Sequence, residues 1–156
     1  MALRQILTIG DETLYKTCRK VEVFDSRLHT LLDDMAETMY AAAGVGLAAI
    51  QIGILKRVVT IDTGDGLLEL VNPEIIETSG SEEGAEGCLS VPGKVGQVVR
   101  PTYVKVRAQD RNGEFYEVEG EGLLARAFCH EIEHLDGHLY IEKANNIIDR
   151  NFEDEE

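Results

Sequence analysis

Hydrophobic positions along this chain recur with two different periods. From Asp25 or Ser26, either of which suits an N-cap, Leu28, Leu31, Leu32, Met35 and Met39 follow helical spacing, and Gly44 supplies a stop. A second helix is expected from about Glu121 to Asp136, with Leu124, Ala127, Phe128, Ile132 and Leu135 facing inward and Gly137 ending it. Between them, Lys56 to Asp62, Leu67 to Asn72 and Tyr103 to Gln109 have strand-like composition. Asn112-Gly113 is a hairpin signal joining the last of these to a strand over Glu114 to Glu119. Helices around several mainly antiparallel strands predict an α+β fold.

No repeat, low-complexity tract or linker interrupts the pattern, so the 156 residues are expected to form one domain, 1–156. The tail from Asp149 to Glu156 offers little apolar surface and many acids, and is expected to be mobile. A net charge of −14 disfavours general nucleic-acid binding and is read first as a device for solubility. The N-terminal MALRQILTIGDE carries no secretory pattern and no later stretch could span a bilayer; with three scattered cysteines, this leads to an expected cytoplasmic location.

The chemistry concentrates in His130-Glu131-Ile132-Glu133-His134, inside the second helix. The i, i+4 spacing puts both imidazoles on one face, where they can bind the same metal, with Glu131 beside it as a non-ligand. A solvated helix face bearing two ordinary histidines is the competing reading, which a third ligand would weaken. Cys88, in Glu86-Gly87-Cys88-Leu89-Ser90, is the best candidate for that ligand. Cys18 and Cys129 read as packed thiols, since Cys129 projects about a hundred degrees around the helix from His130. A third segment, Gly44-Val45-Gly46-Leu47-Ala48-Ala49-Ile50-Gln51, read alone is a small-residue turn leading into a strand, open to close backbone approach.

Together the segments GVGLAAIQ, EGCLS and HEIEH, in that order and at these separations, resemble the three motifs of the peptide deformylases, and the likeness runs from about Ala2 to Ala144. The resemblance implies mainly antiparallel sheets around a central metal-binding helix, with the N-terminal helix packed against them. It implies Cys88, His130 and His134 as metal ligands, Glu131 as general acid and base, and the Gln51 side chain with the Leu89 backbone N–H as an oxyanion hole. The substrates would be N-formylmethionyl nascent peptides, extended against the backbone of Val45, Gly46 and Gly87, with Gly44 and Gly46 leaving room. The methionine pocket maps near Val45, Leu123, Arg126 and Ala127. Arg126 would line it with its aliphatic stem while its charge reaches solvent, or else form a surface ion pair. The implied metal is Fe(II), with Zn(II), Ni(II) or Co(II) as other occupants. The protein is expected to act as a monomer without a membrane.

Two positions depart from the family pattern: Glu133 stands where many relatives have Asp, and Val95 where some carry an Arg that contacts substrate. A transient ribosome contact through a basic C-terminal helix, as in some deformylases, is disfavoured by the acidic end of this chain. Two rival readings stay open at this point. One is a zinc peptidase, whose third ligand would usually be Glu or His rather than Cys88. The other is a metal-binding module without activity, against which the presence of both Glu131 and Gln51 argues.

Overall fold

The computed structural model describes residues 2–149, and the acidic tail beyond Asp149 lies outside them. Helix α1 (Ser26–Ala41) starts where Asp25 caps it, the Asp25 carboxylate accepting from the N–H groups of Arg27 and Leu28 at 3.1 and 3.3 Å. Its end differs from the expectation for Gly44. The left-handed residue is Ala43 (φ 57°), and Gly44 closes the turn by donating its N–H to the Met39 carbonyl. Helix α2 (Leu123–Leu135) begins two residues later than expected, because Glu121 still belongs to a strand and Gly122 makes the turn.

Five strands, β1 (Gly46–Ala48), β2 (Val58–Ile61), β3 (Leu68–Ser79), β6 (Tyr103–Gln109) and β7 (Phe115–Glu121), form one antiparallel sheet in the order β1-β2-β3-β6-β7. Alternation along its strands sends Val59, Ile61 and Leu70 to a core shared with Phe128, Ile132 and Leu135 of α2. Neighbours Val58 and Val71 face the other way, against Leu28, Leu32 and Met35 of α1. The sheet therefore lies between the two helices, and α2 is buried along most of its length.

A second sheet, β4 (Glu82–Cys88), β5 (Val91–Arg100) and β8 (Asn145–Asp149), covers the remaining side of α2. Its smaller core holds Val91, Val98, Leu139 and Tyr140. Asp149 ends β8, and its carboxylate is paired with the Lys94 ammonium. Among the described residues no helix is long and apolar enough to cross a membrane.

Gly137 stops α2 as expected, at φ 82°, and a Cβ there would sit 2.6 Å from the Tyr15 carbonyl oxygen and 2.8 Å from that of Lys16. Gly137→Ala is predicted to destabilise the fold by about 2 kcal/mol or more, through the left-handed backbone and this collision together. Urea unfolding measures it; a change within about 0.5 kcal/mol, as at ordinary surface sites, would contradict the assignment.

Candidate metal centre and active-site cleft

The three sequence segments meet beside α2. His130 and His134 occupy successive turns of the helix, Cys88 ends β4, and Gln51 lies in a 3₁₀ turn over Ala49–Ile52 that follows β1. A register shift between Glu86 and Cys88 breaks the β4–β5 ladder, the kind of irregularity that re-aims a side chain. Potential ligand atoms of Cys88, His130 and His134 all lie within 4.8 Å of one another, with Cys88 Sγ 3.3 Å from His134 Nε2. A thiol and two imidazoles at this spacing fit one divalent ion with a position left for water.

The ring of His130 is held from behind. Its Nδ1 lies 2.9 Å from Glu86 Oε1, leaving Nε2 for an ion, and Tyr140 stacks on it with centroids 5.7 Å apart. Glu86 is itself saturated: Arg100 donates to both its oxygens, at 2.8 and 2.9 Å, and Arg126 Nη1 donates to Oε2 at 2.8 Å. Burial works to raise the Glu86 pKa, but the Arg100 and His130 contacts outweigh it and bring it down to about 2. Arg100 also reaches Glu133 at 2.8 Å, and Lys143 pairs with the same carboxylate. Glu133 thus anchors Arg100 from the helix side.

Glu131 sits in a different environment. It is buried, its Oε1 has no hydrogen-bond partner, and Oε2 lies 3.9 Å from His130 Nε2. Burial raises its pKa to about 7 against the opposing charge of His130, a value suited to taking and returning protons near neutrality. Burial works to lower both histidines; in His130 the neighbouring Glu131, Cys88 and Glu86 reverse it and raise the pKa, whereas in His134 the charges of His130 and Arg100 add to it.

A cleft of about 750 Å³ opens onto these groups. It is lined by Gly44, Val45 and Gly46, by Gly87 and Leu89, and by Leu123, Arg126 and Ala127 from the start of α2. Both flanking strands, β1 and β4, are sheet edges. Gly46 and Gly44 also pack closely against side chains of the site. A Cβ on Gly46 would fall 2.6 Å from Glu131 Oε2, and one on Gly44 would fall 2.7 Å from Leu89 Cδ1. Val45 and Leu123, 42% and 53% exposed, form the rim rather than the floor.

Arg126 corrects its expectation. It is buried, and its guanidinium bonds Glu86, the Val98 carbonyl at 2.9 Å and the Glu82 carbonyl at 3.3 Å, so its charge neither reaches solvent nor forms a surface pair. Cys18 and Cys129 are packed in the core shared by α2 and the large sheet. Residues that sequence reasoning missed are Glu86, Arg100, Ser90 and Tyr140. The signal for Glu86 was present, because a metal-binding histidine usually gives its second nitrogen to a carboxylate. Nothing in the pattern marked Arg100 or Tyr140.

Fold and site together place the chain in a class of α+β proteins whose HExxH helix, with Cys88 as third ligand candidate, can hold one metal ion beside a buried carboxylate. The polypeptide deformylase family model matches residues 3–149. A peptide deformylase from Agathobacter rectalis is 57% identical over 155 residues, covering 99% of this chain and 98% of that protein. One from Acetivibrio thermocellus is 60% identical over 149 residues, covering 96% and 88%. The crystal structure of the Thermotoga maritima peptide deformylase superimposes with a TM-score of 0.90 at 40% identity, covering 93% of this chain and 99% of that one. The chain belongs to the polypeptide deformylase family.

The Glu86 network makes an acid prediction. Its folded pKa lies below the unfolded value, so its contribution is present above about pH 4.5 and is lost as pH falls towards about 2. Roughly 3 kcal/mol of stability should go over that window. Glu86→Gln, which has no charge there to lose, should show a shallower dependence of urea stability on pH; equal slopes for the two proteins would refute the assignment.

Proposed function

We propose that this enzyme removes the formyl group from the N-terminal formylmethionine of newly made proteins, releasing formate and a free amine. The observation that carries the reading is the convergence of Cys88, His130 and His134 beside the buried, half-unpartnered carboxylate of Glu131, at the side of a cleft bordered by two sheet edges.

In this reading Cys88, His130 and His134 hold one divalent ion, Fe(II) in preference to Zn(II), Ni(II) or Co(II). When bound, the ion supplies Lewis-acid activation of water and of the formyl oxygen. Glu131 takes a proton from the attacking water and then gives it to the departing amine. Burial holds its pKa up, which favours keeping the proton it takes, and a cation alongside would bring it back down so that the proton can be passed on. The Gln51 amide and the Leu89 N–H stabilise the oxygen that becomes negative in the transition state. The nascent peptide lies extended along Val45, Gly46 and Gly87, adding a strand at the open edges, while its methionine fills the space near Val45, Leu123 and Ala127. Arg126 contributes its stem there and holds Glu86 with its charge.

Val95 lines the same cleft without a charge, so the peptide backbone carries more of the binding here than where an Arg stands. Such a substrate implies work in the cytoplasm, consistent with three free cysteines. We read the enzyme as a monomer whose contact with the ribosome is transient and does not use the acidic tail.

Incubation with formyl-Met-Ala and acetyl-Met-Ala under reducing, oxygen-poor conditions tests the reading. Formate alone is expected; free methionine would select a peptidase instead. Glu131→Gln should keep its metal and lose at least ~100-fold in turnover, and near-normal turnover in the metal-replete variant would remove Glu131 from the proton path. Cys88→Ser should lower metal retention or change metal preference, because a hydroxyl is a harder and far less acidic ligand than a thiol. Unchanged metal content and activity would take Cys88 out of the ligand set.

A further inference from the structure

We propose that Ser90 is a positioning residue whose hydroxyl aims the Gln51 amide at the reacting oxygen; this rests on the role given to Gln51 above. Ser90 and Leu89 form the two-residue connection between β4 and β5, across which Cys88 pairs with Val91. Residues in such turns ordinarily face water. Ser90 is fully buried instead, and a buried hydroxyl calls for a partner. That partner is Gln51 Nε2, 3.0 Å from Ser90 Oγ.

The orientation of the amide follows from its other end. The Ala48 N–H donates to Gln51 Oε1 at 2.9 Å, which fixes which side of the group is oxygen and which is nitrogen. Nε2 then has two hydrogens to place. Ser90 Oγ accepts one, and the other is donated towards Cys88 Sγ at 3.6 Å, which points it to the side of the three metal-ligand candidates. The backbone beneath is also held: Leu7 N–H donates to the Gln51 carbonyl and Ile9 N–H to the Ser90 carbonyl, both at 2.7 Å. A short N-terminal segment thus ties the two residues together from behind. Without the hydroxyl, one N–H of a buried amide has no acceptor, and the group can relieve this only by turning away from the geometry that stabilises an oxyanion.

The test combines a mutant cycle with a reading of the amide itself. Ser90→Ala should lower kcat for formyl-Met-Ala by about tenfold or more, with KM and metal content unchanged, and the loss should vanish when Ser90→Ala is placed in a Gln51→Ala background. Undiminished kcat, or an equal loss in both backgrounds, would overturn the proposal. By NMR, one Gln51 side-chain amide proton should exchange slowly with solvent in the parent and quickly in Ser90→Ala; unaltered exchange would also overturn it. Ser90→Cys, similar in size and a weaker acceptor, replaces the alanine variant in every arm should that one not fold, with losses in the same direction. A parent protein that releases no formate would refute the proposed function, and the amide exchange would still decide the role of Ser90.

Discussion

One buried carboxylate holds the centre of this molecule in register. Glu86 projects from β4 and accepts from Arg100 on β5 and from Arg126 on α2, while meeting His130 one helical turn further on. Bringing these charges out of water is costly, and the cost is offset because both carboxylate oxygens are fully used. Removing Glu86 would leave the buried guanidinium groups of Arg100 and Arg126 short of a counter-charge. The arrangement therefore forces the small sheet against the helix in a single alignment. Cys88, two residues beyond Glu86 on the same strand, is carried to its place beside His134 by that alignment.

The rest of the site inherits this rigidity. Since Glu86 occupies Nδ1 of His130, the ring presents Nε2 to the cleft, and Glu133 on the same helix steadies Arg100 from the other side. Two neighbouring carboxylates are driven in opposite directions: Glu86, surrounded by donors, stays ionised, whereas Glu131, buried with one oxygen unpaired, titrates near neutrality. Gly46 is what permits Glu131 to lie against the edge of β1, and Gly44 does the same for Leu89. Small residues in the first segment thus shape the site from outside while leaving backbone free along an open sheet edge.

Much of this was legible in the chain, and the exceptions have physical reasons. Regular apolar spacing exposed α1 and α2, and the Asn112-Gly113 turn exposed the hairpin, because helix periods and turn chemistry are local properties. The i, i+4 histidines announced their shared face for the same reason. The second sheet was hidden: β4 reads EEGAEGC and β5 VPGKVGQVVR, where glycine, proline and acids mask the alternation and pairing is decided by the partner strand. Arg126 looked like a surface charge because sequence displays a charge but not the Glu86 side chain that meets it from another sheet. Gly44 looked like the helix stop, yet Ala43 takes the left-handed turn, and Gly44 only closes it with its N–H while packing against the Leu89 side chain.

If Glu86 sets the ligand geometry, the imidazole of His130 is fixed before any ion arrives. The direct measurement is the Nδ1–H resonance of His130 in nitrogen-15 NMR, recorded on the protein loaded with diamagnetic Zn(II) and again after chelation. A slowly exchanging Nδ1 proton present in both states, at similar shift, is the result this account requires. A proton that is protected only with metal bound would mean that the ion orients the ring and that the carboxylate network follows it.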